Sequence, residues 1–234
     1  MSFQLFHVCK SNHFLRYFKA KSILKIKKSQ NTFVKWNIIL IFATLIERRI
    51  TRMNYIKTDI DGVYIIEPRV FNDPRGYFFE AYKQNEFEEN VGKVNFVQDN
   101  ESKSSRGVLR GLHYQKGEWS QAKLVRVIKG KVVDVAVDIR KSSPTFGKYV
   151  MVELSEENKR QLFIPRGFAH GFLVLSDEAI FTYKVDNVYA PQSEASIRFD
   201  DPTIGIKWPI AAEEMLLSPK DEAGKSLSEA DLFD

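Results

Sequence analysis

Past residue 13 the chain has only two imidazoles, His113 and His170. Histidine is the side chain whose ordinary pKa lies nearest neutrality, so each is a candidate general base. A lone histidine on a strand is more often structural than catalytic, and the surroundings carry the argument. His113 sits in Leu109-Arg110-Gly111-Leu112-His113-Tyr114-Gln115, three residues from a guanidinium. His170 sits in Pro165-Arg166-Gly167-Phe168-Ala169-His170-Gly171-Phe172. Two separated histidines without a pairing ligand make a poor transition-metal set. The one cysteine, Cys9, lies far from both, so no intrachain disulfide and no thiolate site can form near them. That cysteine usage fits a reducing cytoplasm.

The elements that must position these residues read as strands. Val63–Ile66, Tyr77–Tyr82, Leu124–Ile128, Lys131–Ile139, Tyr149–Leu154, Gln161–Ile164, Gly171–Leu175, Ala179–Val185 and Ser196–Phe199 are short apolar or alternating runs broken by turn residues. Asp73-Pro74-Arg75-Gly76 has the composition of a type I turn. Lys129-Gly130 suggests a hairpin between the third and fourth runs. Within the fourth, Val133, Val135, Val137 and Ile139 share one face, and Val132, Asp134, Ala136 and Asp138 the other. Helical patterning is confined to a short stretch near Asn85–Asn90 and to Ser226–Phe233. Many short strands at near-even spacing predict an all-β sandwich, jelly roll or barrel with minor short helices.

Charge divides the chain in two. Residues 1–52 carry eleven Lys/Arg against Glu47 alone, a net +10, while the remainder holds 24 basic and 29 acidic residues, a net −5. The overall +5 therefore belongs to a basic N-terminal extension and is no nucleic-acid footprint on the rest. The apolar run Asn37–Ile46 is shorter than the roughly 20 residues that span a bilayer. It also lacks the short leader and small-residue cleavage site of a signal peptide. The extension is read as lying outside the fold, with Met53 as the working start. The alternatives are a peripheral basic anchor or a tether.

The stretch around His170 resembles the second motif of cupins, a double-stranded β-helix or jelly-roll family. The first cupin motif would place a second histidine at Gln115, so the metal set is incomplete. A narrower resemblance rests on blocks that occur in order: Asp73-Pro74-Arg75-Gly76-Tyr77-Phe78-Phe79-Glu80, Gln98-Asp99-Asn100, Arg110–Gln115, Lys129-Gly130, Pro165–Phe172, Tyr183-Lys184 and Leu217-Ser218-Pro219-Lys220-Asp221. Together they resemble the dTDP-4-dehydrorhamnose 3,5-epimerase family from Met53 to the C-terminus. The extension has no counterpart in that pattern.

The resemblance implies a cofactor-independent isomerase without a metal. It would move protons at C3 and C5 of dTDP-4-dehydro-6-deoxy-D-glucose, on the way to dTDP-L-rhamnose and cell-surface polysaccharide. His113 would be the base, Asp221 its carboxylate partner, Tyr183 the proton donor on the opposite face, and Lys123 the cation near the developing enolate, with Asp134 nearby. Arg75 and Arg110 would hold the diphosphate, Arg75 reaching across a homodimer interface. Phe78 or Tyr189 would stack on thymine. Glu80, Gln98, Asp99, Asn100, His170, Glu194 and Lys220 would make further substrate contacts. No nucleic acid or membrane is implied for this domain. The competing expectations are a single-centre epimerase, a 4-keto-sugar ketoisomerase, a non-catalytic nucleotide-sugar-binding module and a metal cupin.

Overall fold

The structure, a computed structural model, describes residues 53–234. The basic segment 1–52, and every expectation attached to it, lies outside the described residues. In chain order the strands are β1 (Asn54–Lys57), β2 (Tyr64–Glu67), β3 (Phe71–Asp73), β4 (Gly76–Phe78), β5 (Gln98–Ser105), β6 (Leu109–Gln115), β7 (Lys123–Lys129), β8 (Lys131–Asp138), β9 (Tyr149–Ser155), β10 (Gln161–Ile164), β11 (Phe168–Val174), β12 (Glu178–Val185) and β13 (Glu194–Ser196). Two short helices, α1 (Gln84–Asn90) and α2 (Pro219–Glu222), interrupt them.

Two antiparallel sheets form the jelly roll. One has the order β1-β2-β10-β7-β12-β5, the other β13-β6-β11-β8-β9, and β3-β4 is a separate hairpin. Side-chain alternation divides the cores. Val132 and Ala136 of β8 join Val125, Val127, Phe172 and Phe181 between the sheets. Val133, Val135 and Val137 point the other way and are covered by the C-terminal segment through Ile204, Met215 and Leu227. The period of two along β8 thus makes both of its faces apolar, as a strand buried on both sides requires.

The Lys129-Gly130 hairpin expected from sequence does not form. β7 pairs with β10 and β12, whereas β8 pairs with β9 and β11, so the chain changes sheet at Gly130. One intervening residue is too few for the common two-residue hairpin loop. Gly130 has φ +78°, and a Cβ there would lie 2.0 Å from the Glu178 carbonyl, so the corner demands glycine.

The helix expected over Ser226–Phe233 is also absent; the segment is turns and extended chain. A stretch this short has little intrinsic helix stability, and its apolar residues, Leu227, Leu232 and Phe233, pack individually on the outer core. Tyr77–Tyr82 keeps strand geometry only to Phe78, and the Ser196–Phe199 run pairs earlier, as β13. β5 is polar along its length, Gln-Asp-Asn-Glu-Ser-Lys-Ser-Ser, because it is an edge strand. For that reason apolar patterning missed it.

Candidate functional site

His113 and His170 are directly paired across β6 and β11. Between His170 and Phe172 the register slips: Gly111 and Leu112 of β6 face the single residue Gly171. The two glycines make this bulge possible, since a Cβ on Gly111 would come within 2.4 Å of the Gly171 Cα. The bulge frees the Gly111 N–H from the ladder, and it donates to Asp221 Oδ1 at 3.0 Å.

Asp221 is therefore positioned by two distant pieces of chain. It is the third residue of α2, where it completes a capping box with Ser218. The Ser218 hydroxyl and backbone N–H donate to Oδ2 at 2.5 and 3.2 Å. Oδ1 faces His113 Nε2 at 2.8 Å. That contact is short but too bent to be a straight hydrogen bond, so the carboxylate acts on the ring chiefly as a nearby fixed charge. Burial alone would raise the Asp221 pKa, but the adjacent His113 ring and the hydrogen bonds from Ser218 and Gly111 hold it far below the usual carboxylate range. The ring keeps 26% of its surface open. With Nε2 turned to the carboxylate, Nδ1 is the nitrogen left to accept a proton.

His170 has a carboxylate of its own. Its Nε2 lies 3.0 and 3.1 Å from the two oxygens of Asp134, and both side chains are buried. Asp134 is two residues from Ala136, the direct partner of His170 on β8, so the contact is a diagonal cross-strand pair on one face. Burial pushes His170 below its ordinary pKa, with Asp134 opposing. A neutral ring with its hydrogen on Nε2 satisfies this geometry.

The facing sheet supplies Lys123 and Tyr183. Tyr183 pairs with Val125 on β7 and with Asn100 on β5, and Val185 pairs with Lys123 and Gln98, so these four polar side chains share the inner face. Gln98 Nε2 donates to Asn100 Oδ1 at 2.8 Å. Burial lowers Lys123 to about 8, against the pull of the Asp134 and Glu194 charges. Burial raises the Tyr183 phenol; nearby Arg110 opposes that shift and Glu194 adds to it. Tyr183 therefore stays protonated at neutral pH.

The rim is built from β13 and the segment before it. Glu194 pairs with Gln115 at the end of β6. Its carboxylate accepts from Tyr189 Oη at 2.7 Å and is ion-paired with Lys220. Arg110 Nε donates to Ser104 Oγ at 3.0 Å, leaving the rest of its exposed guanidinium available.

The fold thus gathers His113, Asp221, His170, Lys123, Tyr183, Arg110, Glu194, Lys220 and Tyr189, with Gln98 and Asn100 on the same inner face. Asp99 is not among them. It points to the outer face of its sheet and pairs with Lys184 at 2.9 Å. Arg75, Phe78 and Glu80 are not brought to the group either. Arg75, 89% exposed, is held at the tip of the β3–β4 hairpin by Asp73, and Phe78 is exposed beside it. Glu80 pairs with Lys83. A cavity of about 700 Å³ on the six-stranded sheet is lined mainly by outer-face residues such as Tyr82, Leu124, Arg126 and Lys184; Asn100 and Tyr183 also border it, and His113 does not.

Sequence reasoning underrated Asp134 and missed Ser218. Asp134 carried a usable signal: a carboxylate on the inward face of a valine-rich strand must find a partner. Ser218 stands three residues before Asp221, the spacing of a capping box. Asp138, also buried on β8, is structural. It takes hydrogen bonds from Arg140, Ser143 and Thr145 and pins the turn that follows the strand.

A base backed by a carboxylate on one sheet faces a half-buried phenol and ammonium on the other. Such a set can remove a proton beside a carbonyl, hold the resulting enolate and return a proton from across the cavity. This defines the protein as a jelly-roll isomerase of the general acid–base class. The dTDP-4-dehydrorhamnose 3,5-epimerase family profile matches residues 57–229. The dTDP-4-dehydrorhamnose 3,5-epimerase of Shigella flexneri is 60% identical over 182 residues, covering 77% of this chain and 99% of that one. The crystal structure of the Legionella pneumophila dTDP-6-deoxy-D-glucose-3,5-epimerase in complex with dTDP-4-keto-L-rhamnose superposes with a TM-score of 0.74 at 54% identity, covering 77% of this chain and 95% of that one. A 3'-monoepimerase from Streptomyces bikiniensis in complex with dTDP-quinovose reaches a TM-score of 0.70 at 35% identity, covering 74% and 87%. The chain belongs to the dTDP-4-dehydrorhamnose 3,5-epimerase family.

Proposed function

We propose that the protein epimerises dTDP-4-dehydro-6-deoxy-D-glucose at C3 and C5, giving dTDP-4-dehydro-L-rhamnose. The carrying observation is the placement of His113 and Tyr183 on the inner faces of opposing sheets. The C4 ketone acidifies the neighbouring C–H bonds. His113 takes the proton, and the electron pair moves into the C–C bond and onto the ketone oxygen. Lys123 stabilises that oxyanion in a site where burial strengthens the interaction. Tyr183 donates a proton to the carbon from the other face as the enolate electrons return to it; the His113 imidazolium then loses its proton to solvent and the phenolate regains one from it, so the same pair can act at the second centre. Asp221 holds the His113 ring and stabilises the imidazolium that forms.

The nucleotide extends along the rim. Arg110 binds the diphosphate, Tyr189 offers its exposed ring to the thymine, and His170, Glu194, Lys220, Gln98 and Asn100 contact sugar or base. The β3–β4 hairpin packs into neither large sheet and exposes Tyr77 and Phe78 around Arg75. These features support a homodimer in which each hairpin carries Arg75, with Phe78 and Glu80, to the partner's site. The reading places the enzyme in the cytoplasm, with the supply of activated sugar nucleotides. Among the described residues no helix is long and apolar enough to cross a membrane.

The test is to incubate the protein with dTDP-4-dehydro-6-deoxy-D-glucose in heavy water, then add a 4-keto reductase and hydride donor. Rhamnose carrying deuterium at C3 and C5 is expected. The likeness to a 3'-monoepimerase favours a second reading, inversion at C3 alone, and deuterium confined to C3 would establish it in place of the first. An enzyme that binds dTDP but exchanges no proton would overturn both.

A further inference from the structure

Gln115 follows His113 by two residues on β6, and it occupies the position where a metal-binding cupin would carry a second imidazole. It is 5% exposed. Its Nε2 donates to the Trp119 carbonyl at 2.7 Å and to the Val188 carbonyl at 3.0 Å. Its Oε1 accepts from the Ala190 N–H at 2.7 Å. Both amide hydrogens and the carbonyl are therefore engaged, so the side chain has one orientation that satisfies it.

The two partners on the second segment flank Tyr189. A single side chain grips the main chain immediately before and immediately after that residue, as a neighbouring strand would. Segment 186–193 belongs to no sheet until β13 begins; Gln121 and Glu118 tie its start at Asn187 and the Lys116 N–H holds its end at Ser193, and Gln115 grips the stretch between them, where an exposed aromatic would otherwise swing. Tyr189 instead keeps its ring 54% exposed while its backbone is fixed. The ring hydroxyl is fixed too, by Glu194, which itself pairs across to Gln115. A rigid aromatic ring loses little freedom on stacking, so binding to it costs less.

We infer that Gln115 is a positioning residue that locks the Tyr189 platform to the strand carrying His113, fixing the reach between the nucleotide base and the reacting sugar. This rests on the proposed function, in that Tyr189 stacks on the thymine. The clamp removes loop motion from the free enzyme, so its loss weakens binding more than turnover.

Two measurements separate the clamp from its consequence. In the full-length protein, amide hydrogen exchange at Ala190 reports the clamp without any substrate, because Gln115 Oε1 is the acceptor of that N–H. Gln115→Met keeps length and apolar packing and removes the hydrogen bonds. It should raise the Ala190 exchange rate and raise KM for the dTDP-sugar about tenfold, with kcat changed about threefold or less. In the Gln115→Met background, Tyr189→Ala should cost less than in the wild type, since the platform is already loose. An unchanged Ala190 exchange rate, or faster exchange with unchanged KM and dTDP affinity, would overturn the inference. Should Gln115→Met fail to fold, Gln115→Asn, which keeps the amide but draws it back by one methylene, gives the same readouts. If Tyr189→Ala alone leaves dTDP affinity intact in a wild-type enzyme that turns over, the assignment of Tyr189 falls and the inference falls with it. A wild type inactive on the sugar overturns the function while the exchange measurement still reports the clamp.

Discussion

His113 and His170 are opposite each other on β6 and β11, and each meets a different buried carboxylate, Asp221 from α2 and Asp134 from β8. The two pairs differ in access. About a quarter of the His113 side chain is exposed, whereas His170 is buried and pushed toward neutrality. That difference favours the first for the proposed proton-accepting role and the second for a binding role.

Removing the base should abolish chemistry and leave the nucleotide site. His113→Asn is expected to lower kcat by about 10³-fold, within the range of general-base catalysis, while dTDP affinity by calorimetry stays within a few-fold. Retained turnover would show that another group takes the proton.

Asp221 and Ser218 should separate catalysis from capping. Asp221→Asn removes the charge beside His113 and is expected to cost about 10²-fold or more in kcat, by analogy with the carboxylate of a catalytic triad. Ser218→Ala leaves Oδ1 and Gly111 in place. It should cost about 1 kcal/mol of stability as a lost cap, with a much smaller effect on kcat. Equal kcat losses would mean that the cap, and not the charge, is what matters.

The cation at Lys123 predicts an alkaline limit. Lys123 is charged below about pH 8 and loses its proton above it, so kcat/KM should fall as pH rises through that value. Asp134 opposes the burial that lowers Lys123, so Asp134→Asn should move the limb to lower pH. A limb unmoved in that variant would disconnect Asp134 from Lys123.

Acid stability should follow Asp138. Its hydrogen bonds to Arg140, Ser143 and Thr145 outweigh the burial that would raise it, and lower its pKa from 3.8 to about 2. A carboxyl depressed on folding contributes stability that is complete above its unfolded pKa and is lost as pH falls through the folded value. The window is therefore about pH 4 down to 2, and the shift is worth on the order of 2 kcal/mol. Thermal melts across that window should show Tm falling steeply, and Asp138→Asn should flatten the fall while lowering Tm at neutral pH.

The hairpin can be tested by complementation. The Arg75→Ala and His113→Asn proteins should each be nearly inactive on their own. If Arg75 serves the partner's site, mixing the two should restore activity, because some mixed dimers contain one site with both residues intact. Mixtures no more active than their components would place Arg75 in its own protomer's site, or in none.

The sequence by itself determined most of the apolar strands, the two-faced pattern of β8 and the residue types of the site, because period-two alternation and turn chemistry are local properties; β1, β3 and β6, short or broken by glycine, did not stand out as strands. The ordered blocks also carried the family resemblance. Local pattern could not choose which strands pair. Gly130 looked like a hairpin turn, and only packing against Ser176 and Glu178 makes it a corner between sheets. Nor could it show that the polar run Gln98–Ser105 is an edge strand, or that Asp99 faces away from Asn100's partners. The tertiary structure alone decided that Asp221 reaches His113 from 108 positions along the chain, that Asp134 meets His170, and that Gln115 grips both sides of Tyr189. Contacts of that kind depend on sheet register and on the Gly111 bulge, where two backbones approach closely enough to redirect one N–H group.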